Sequence, residues 1–294
     1  MQTTFVASVG PVALASPVIS AEPTPSQAPV NPPVNARQPN AKQRKPRALN
    51  VDAQAVRLEL VTVAAHLATR ILIQNGLSCA VFGSLAAKLY GAPRAPKDVD
   101  ILVSQEVADS DATNQQLSAM ELKELILRNN PLNFYLKMPR DPTAEYRILW
   151  YRRWYRGPEC KVDILVPGTM YLPHLPKQSG VVVSDIPLVP FGLLLLHKLQ
   201  GWDDHRKAEE PFKRAKQHQD AGDVRRLLAL KETGKLQGTK AWDDRAMFGE
   251  VFMALTRERV QAYCEAFPDR AARWQEIGFD VVIPETKKEP TEEA

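Results

Sequence analysis

Val81-Phe-Gly-Ser-Leu-Ala-Ala-Lys-Leu-Tyr-Gly-Ala-Pro-Arg-Ala-Pro-Lys-Asp-Val-Asp-Ile-Leu-Val103 is the stretch on which the fold turns. It opens on the apolar run Cys79 to Phe82, which reads as a buried strand. Gly83-Ser84 then turns the chain into a short helix, Leu85 to Tyr90, closed by Gly91. A second strand runs from Asp98 to Val103. On a strand, residues i and i+2 share a face, so Asp98 and Asp100 project side by side from an otherwise apolar segment. Two like charges so placed are unfavourable without a neutralising cation. Mg²⁺ prefers a few carboxylates completed by phosphate oxygens, and a pair of such ions can clamp the attacking and leaving oxygens of a phosphoryl transfer. At Gly83 the backbone can approach a ligand closely, and the following helix offers free N–H groups to a phosphate. A third carboxylate, Asp163, lies among apolar residues in Lys161-Val-Asp-Ile-Leu-Val166. If that strand joins the same sheet, the three carboxylates form one site.

The turn, the Asp-x-Asp pair about a dozen residues later and the further strand carboxylate resemble the polymerase-beta-type nucleotidyltransferase superfamily, in particular its minimal nucleotidyltransferases and AbiEii-like toxins. The resemblance spans roughly residues 52–232. It implies an α+β fold, in which an α/β-type core with a mixed β-sheet precedes a C-terminal helical bundle. It also implies Mg²⁺ (Mn²⁺ as a substitute), an NTP donor and a hydroxyl-bearing acceptor that the sequence does not identify. Asp98 and Asp100 would hold metal bound to the triphosphate, and Asp163 would share the second metal and help activate the acceptor. Gly83 and Ser84 would hold the β- and γ-phosphates, with Arg94 and Lys198 neutralising their charge. Lys198 and Asp220/Asp223 match a helix and a helix start that pack behind the family's core. The other reading is an inactive member of the fold, a nucleotide sensor or a protein- or RNA-binding module.

Outward from this core, the apolar spacing of Val56, Leu60, Val63, Leu67 and Ile71 predicts a helix from Ala53 to Gln74, capped by Asp52 and ended by Asn75-Gly76. A polar helix is expected from Asn114 to Leu127. Strands are expected at 133–137, 146–154 and 160–166, the last two forming an antiparallel hairpin around Arg156-Gly157-Pro158. From Pro190 to about residue 276 the pattern is helical, with Leu193 to Leu196 apolar all round and therefore central. The resulting division is a core over 51–185, a helical domain over 186–284, and tails at 1–50 and 285–294. Asp220 reads better as the N-cap of a helix from Ala221 to Leu230 than as a catalytic group. His197 and His205 lack a zinc spacing and read as polar helix residues. The partial repeat of Lys-Leu-Gln-Gly and Trp-Asp-Asp at 198–204 and 235–244 has differing contexts and reads as coincidence.

The whole chain of 294 residues has a formal charge of +4. Residues 1–50 carry that charge alone, with five basic residues against Glu22, and nine of the 24 prolines. This composition predicts a disordered tail, and the charged segment 285–294 reads the same way. The rest of the chain is balanced, so net charge gives no support to a basic nucleic-acid-binding fold. The run Lys42 to Arg47 reads as a solubilising linker, with nuclear import as the alternative. Arg147, Arg152, Arg153 and Arg156 interleave with Tyr146, Trp150, Tyr151, Trp154 and Tyr155; a hairpin with one wet face explains this better than RNA stacking. No apolar run reaches the roughly 18 residues that cross a bilayer, and neither a signal peptide nor a transit segment is indicated. Three scattered cysteines form no disulfide or zinc pattern, which points to a reducing compartment and a cytoplasmic protein.

Overall fold

The computed structural model describes residues 51–105, 116–141, 143–176 and 181–282. The tails expected to be disordered, the basic run 42–47 and the expected start of the polar helix at Asn114 lie outside the described residues. Helix α1 spans Val51–Gln74, with Asp52 inside its first turn rather than at its cap. Its buried stripe is Leu60, Val61, Ala64, Ala68 and Leu72, while Val56 is exposed and Val63 and Leu67 are only partly covered. The apolar spacing does not single out these alanines; with small side chains at these positions the helix lies close against the sheet.

Strand β1 (Ser78–Phe82), helix α2 (Gly83–Leu89) and strand β2 (Val99–Ser104) follow as expected. Helix α3 runs Ala119–Asn129. Ser118 accepts from the Glu121 N–H and Glu121 reaches back to the Ser118 N–H. This capping box fixes the start of α3 later than the apolar spacing alone suggests. Strands β3 (Phe134–Lys137), β4 (Ile148–Arg152) and β5 (Glu159–Leu165) make an antiparallel meander. Val181–Val183 and Ile186–Leu188 form strands β6 and β7. The sequence division at residue 186 puts the second of these in the helical half. Three residues with Pro187 at the centre carry too little pattern to read as a strand, yet Leu188 pairs in parallel with Val81.

The described strands form one mixed sheet in the order β3-β4-β5-β2-β1-β7-β6. Helix α4 (Phe191–Lys207) buries Leu193, Leu194, Leu195 and Leu196 completely. Around it lie α5 (Pro211–Arg214), α6 (Gln217–Leu228), α7 (Lys231–Gly234) and α8 (Glu250–Ala266), with α9 (Ala271–Glu276) beyond. The architecture is therefore α+β, a mixed sheet with helices followed by a helical C-terminal part. Among the described residues no helix is long and apolar enough to cross a membrane. Cys79, Cys160 and Cys264 are free and buried. Burial pushes the first two thiols up to about 12 and the third to about 11, so all three behave as small apolar side chains.

Candidate active site

The site is built by the pairing of β2 with β5. These strands run parallel, with Asp100 opposite Asp163 and Val99 opposite Val162. A parallel pair keeps opposed side chains on the same face, so both carboxylates stand on one side of the sheet. Asp98 lies one residue before β2 and on the Asp100 side. On the other flank, β1 pairs antiparallel with β2, with Phe82 opposite Asp100. This register delivers the Gly83 turn to the same spot. The Ser84 hydroxyl lies 3.4 Å from Asp98 Oδ1, to which it donates.

Gly83 is held at φ +64°, and a Cβ there would sit 1.9 Å from Asp100 Oδ2. Two independent constraints thus demand glycine. The left-handed backbone disfavours any side chain, and the Asp100 carboxylate occupies the space a methyl group would need. The turn and the carboxylate are in effect one packed unit.

Three acidic side chains this close repel one another. The Asp100 carboxyl is pushed up to about 7, by burial first and then by the charges of Asp98 and Asp163, with Lys198 and Lys161 opposing. Lys161 Nζ is 2.6 Å from Asp163 Oδ2. Burial works against the Lys161 ammonium, but that hydrogen bond and the charges of Asp163, Asp100 and Asp98 outweigh it and hold its pKa above the usual lysine value.

A second cluster stands beside the first. Asp223 on α6 is 5% exposed. It accepts from Arg94 through Nε, at 2.8 Å to Oδ1, and Nη2, at 2.6 Å to Oδ2. Lys198 Nζ lies 3.5 Å away and Arg226 Nη1 3.3 Å away. Lys198 therefore stands between the two clusters, near Asp223 and close enough to Asp100 to lower its pKa. One carboxylate faces three cations here, leaving an excess of positive charge next to an excess of negative charge.

Asp220 is not the N-cap of its helix. Helix α6 starts at Gln217 with Lys216 at the cap, and Asp220 Oδ2 instead meets His205 Nδ1 at 2.5 Å. The sequence pattern misses this start because Lys216 has no capping side chain, and Asp220 is the first residue of a type preferred at an N-cap. His205 is thus a partner of Asp220, and His197 packs between Phe82 and Phe252. Sequence reasoning passed over Asp223 as the shared anion of Arg94 and Lys198, which lie 129 and 25 positions away, and over Lys161 as the partner of Asp163. Only the second was open to inspection, since 161 and 163 share a strand face.

No family model and no curated protein matches the chain by sequence. Among solved structures it is similar to an antigenic nucleotidyltransferase-like protein from Paracoccidioides brasiliensis, at 15% identity and a TM-score of 0.52, over 74% of this chain and 93% of that one. It also aligns with ANT(2'')-Ia, crystallised with adenylyl-2''-tobramycin, at 13% identity and a TM-score of 0.35, over 68% of this chain and 97% of that one. The first likeness shows that this chain has the nucleotidyltransferase fold.

Proposed function

We propose that this protein is a nucleotidyltransferase that moves a nucleoside monophosphate from an NTP to a hydroxyl acceptor and releases pyrophosphate. The observation that carries the reading is the β1–β2–β5 register, which sets Asp100 opposite Asp163 and brings the Gly83-Ser84 turn to Asp100, with Asp98 beside Ser84. The fold supports it independently.

The donor set fits a hard divalent cation. Its groups are carboxylate oxygens, and their mutual repulsion at Asp100 is what a bound cation relieves. Among the described residues no three His, Cys, Asp or Glu side chains are gathered as a ready metal cage. Mg²⁺ is ordinarily held through one or two carboxylates completed by substrate phosphates, which is the arrangement offered here. Asp98 and Asp100 would hold it, with Asp163 at the second position; Mn²⁺ has the same oxygen preference. When bound, the metal supplies charge neutralisation at the transferring phosphate.

The chain's own groups divide the remaining work. The Gly83 turn and the start of α2 present backbone N–H groups, and Ser84 a hydroxyl, toward the donor's phosphates. Lys198 and Arg94, held on Asp223, offset the triphosphate charge from the opposite side. The acceptor oxygen attacks the α-phosphorus while the bond to the β-phosphate oxygen breaks. Pyrophosphate leaves, and the acceptor's proton passes to the carboxylate on β5, Asp163, which Lys161 holds in place.

The test is binding of the four common NTPs, with and without Mg²⁺, to wild type and to Asp98→Asn/Asp100→Asn. The proposal expects Mg²⁺-dependent binding that the double variant loses. Binding indifferent to both the metal and the carboxylates would overturn it in favour of a nucleotide-sensing module.

A further inference from the structure

The carboxylate face of the sheet does not stop at Asp163. Along β3, β4 and β5 the buried positions Phe134, Leu149, Tyr151, Cys160, Val162 and Ile164 face the core, where α1 and α3 pack on these strands. The alternate positions form the other face and are only partly covered. There the register sets Tyr135 opposite Trp150 and Trp150 opposite Lys161. Lys161 pairs with Asp163, so a row of two rings and a lysine runs across three strands into the candidate site.

Cations are stacked on these rings. Lys137 Nζ lies 4.1 Å from the Trp150 ring centre, and the Arg152 guanidinium lies 4.5 Å from the Tyr135 ring. The same guanidinium is 5.3 Å from Tyr155, whose ring is also 5.3 Å from Arg156. The result is a ladder of alternating rings and guanidinium groups, Tyr135, Arg152, Tyr155 and Arg156. Its outer ring, Tyr155, is 72% exposed, so the core does not account for it. A solvated sheet face explains the polar residues but not a ladder whose outer ring is an open tyrosine.

We infer that this face binds the acceptor, and that the acceptor is the end of a single-stranded RNA whose bases stack on the ladder. The inference rests on the nucleotidyl-transfer reading for the position of the reacting hydroxyl. Sheet order divides the site: the phosphate-binding turn follows β1, on one side of β2, and Asp163 and the ladder lie on the other. The donor's phosphates take the first side, which leaves the second to the acceptor. Arginine planes and aromatic rings stack on any base, and their charge follows the phosphates. The surface also carries Glu159, which accepts from the Tyr135 hydroxyl and pairs with Lys137. A carboxylate among the cations repels a phosphate but accepts from a ribose 2′-hydroxyl, the group that marks RNA.

The test uses the full chain without NTP, and measures fluorescence anisotropy of a labelled single-stranded RNA of about 12 nucleotides, within the span of single-strand binders. Tyr155→Ala removes an exposed ring and leaves the core untouched. It is expected to weaken RNA binding roughly 5- to 150-fold, the effect of losing one stacked base, while Tyr155→Phe retains wild-type affinity. Arg152→Ala is expected to lower the slope of log affinity against log salt by about 0.7 for each phosphate that the arginine neutralises. Mg²⁺-dependent NTP binding is expected to stay unchanged in Tyr155→Ala, and RNA binding to survive in Asp98→Asn/Asp100→Asn, so this inference and the catalytic reading fail separately. The inference is overturned by undetectable RNA binding at low salt, by affinity indifferent to Tyr155→Ala, or by equal affinity for single-stranded DNA of the same sequence.

Discussion

Replacing Gly83 by alanine tests the packed unit of turn and carboxylate. The new Cβ would lie 1.9 Å from Asp100 Oδ2 and 2.9 Å from Asp100 Cγ, distances no pair of atoms sustains, so the carboxylate must swing away. Two costs follow. Holding an L-residue at φ +64° costs about 1–2 kcal/mol, and forcing Asp100 off its rotamer costs a further ~0.5–1.5 kcal/mol. A sum near 2–3 kcal/mol lowers the melting temperature by roughly 4–12 °C in a fold of this size. Gly76 provides the control, because it also has a left-handed backbone, φ +78°, but nothing lies within 4 Å of its Cβ position. Gly76→Ala should show the backbone cost alone and keep Mg²⁺-dependent NTP binding. Gly83→Ala should lose that binding, and displacing a reacting group by about 1 Å costs on the order of 10²-fold in turnover. Adding Asp100→Ala to Gly83→Ala removes the clash, so the double variant should recover stability toward the Gly76→Ala level. The assays are thermal unfolding and titration calorimetry with Mg²⁺ and each NTP. Equal behaviour of the two alanine variants in both assays would show that the Asp100 carboxylate does not constrain position 83.

In the metal-free protein, Asp100→Asn should raise the melting temperature by relieving repulsion from Asp98 and Asp163, and added Mg²⁺ with NTP should stabilise wild type but not the variant. Asp223→Ala strands Arg94, Lys198 and Arg226 without their shared anion; denaturant unfolding should show a loss of about 3 kcal/mol, the low end for a broken buried pair because the guanidinium groups keep some solvent. His197 is 8% exposed between Phe82 and Phe252, and burial lowers its pKa from 6.5 to about 4, with the Arg259 charge adding to the effect. Its folded pKa lies below the unfolded one, so the neutral ring's contribution is present above pH 6.5 and is lost as pH falls toward 4. This amounts to about 3 kcal/mol, and the stability difference between wild type and His197→Leu should shrink by about that much across the window.

The part of the site carried by local pattern was legible in the chain itself. Gly83, Ser84, Asp98 and Asp100 lie within 18 residues, and period-two alternation puts the two aspartates on one face without reference to anything distant. Asp163 was legible as a strand carboxylate, but its place opposite Asp100 depends on β5 pairing in parallel with β2 across an intervening helix and two strands. No local signal carries that information. The same holds for Arg94, which the sequence offered as a phosphate ligand and the fold also ties to Asp223, 129 residues on. Strand β7 escaped because its three residues contain a proline, and its pairing to β1 is a tertiary matter. Of the aromatic and basic residues of β4, which read as a wet face, Trp150 and Arg152 stand on the partly covered side, while Tyr151 is buried in the core. The stacking of Arg152 into a ladder with Tyr135 needed the neighbouring strand to be in place.

If Asp98, Asp100 and Asp163 serve nucleotidyl transfer, transfer itself must depend on them. Purified protein is incubated with Mg²⁺, α-phosphate-labelled NTPs and total cell extract, and label covalently bound to any acceptor is counted beside released pyrophosphate. Wild type should transfer label only with Mg²⁺, and Asp98→Asn/Asp100→Asn should fall to background. Transfer that persists at the wild-type level in that double variant would contradict it.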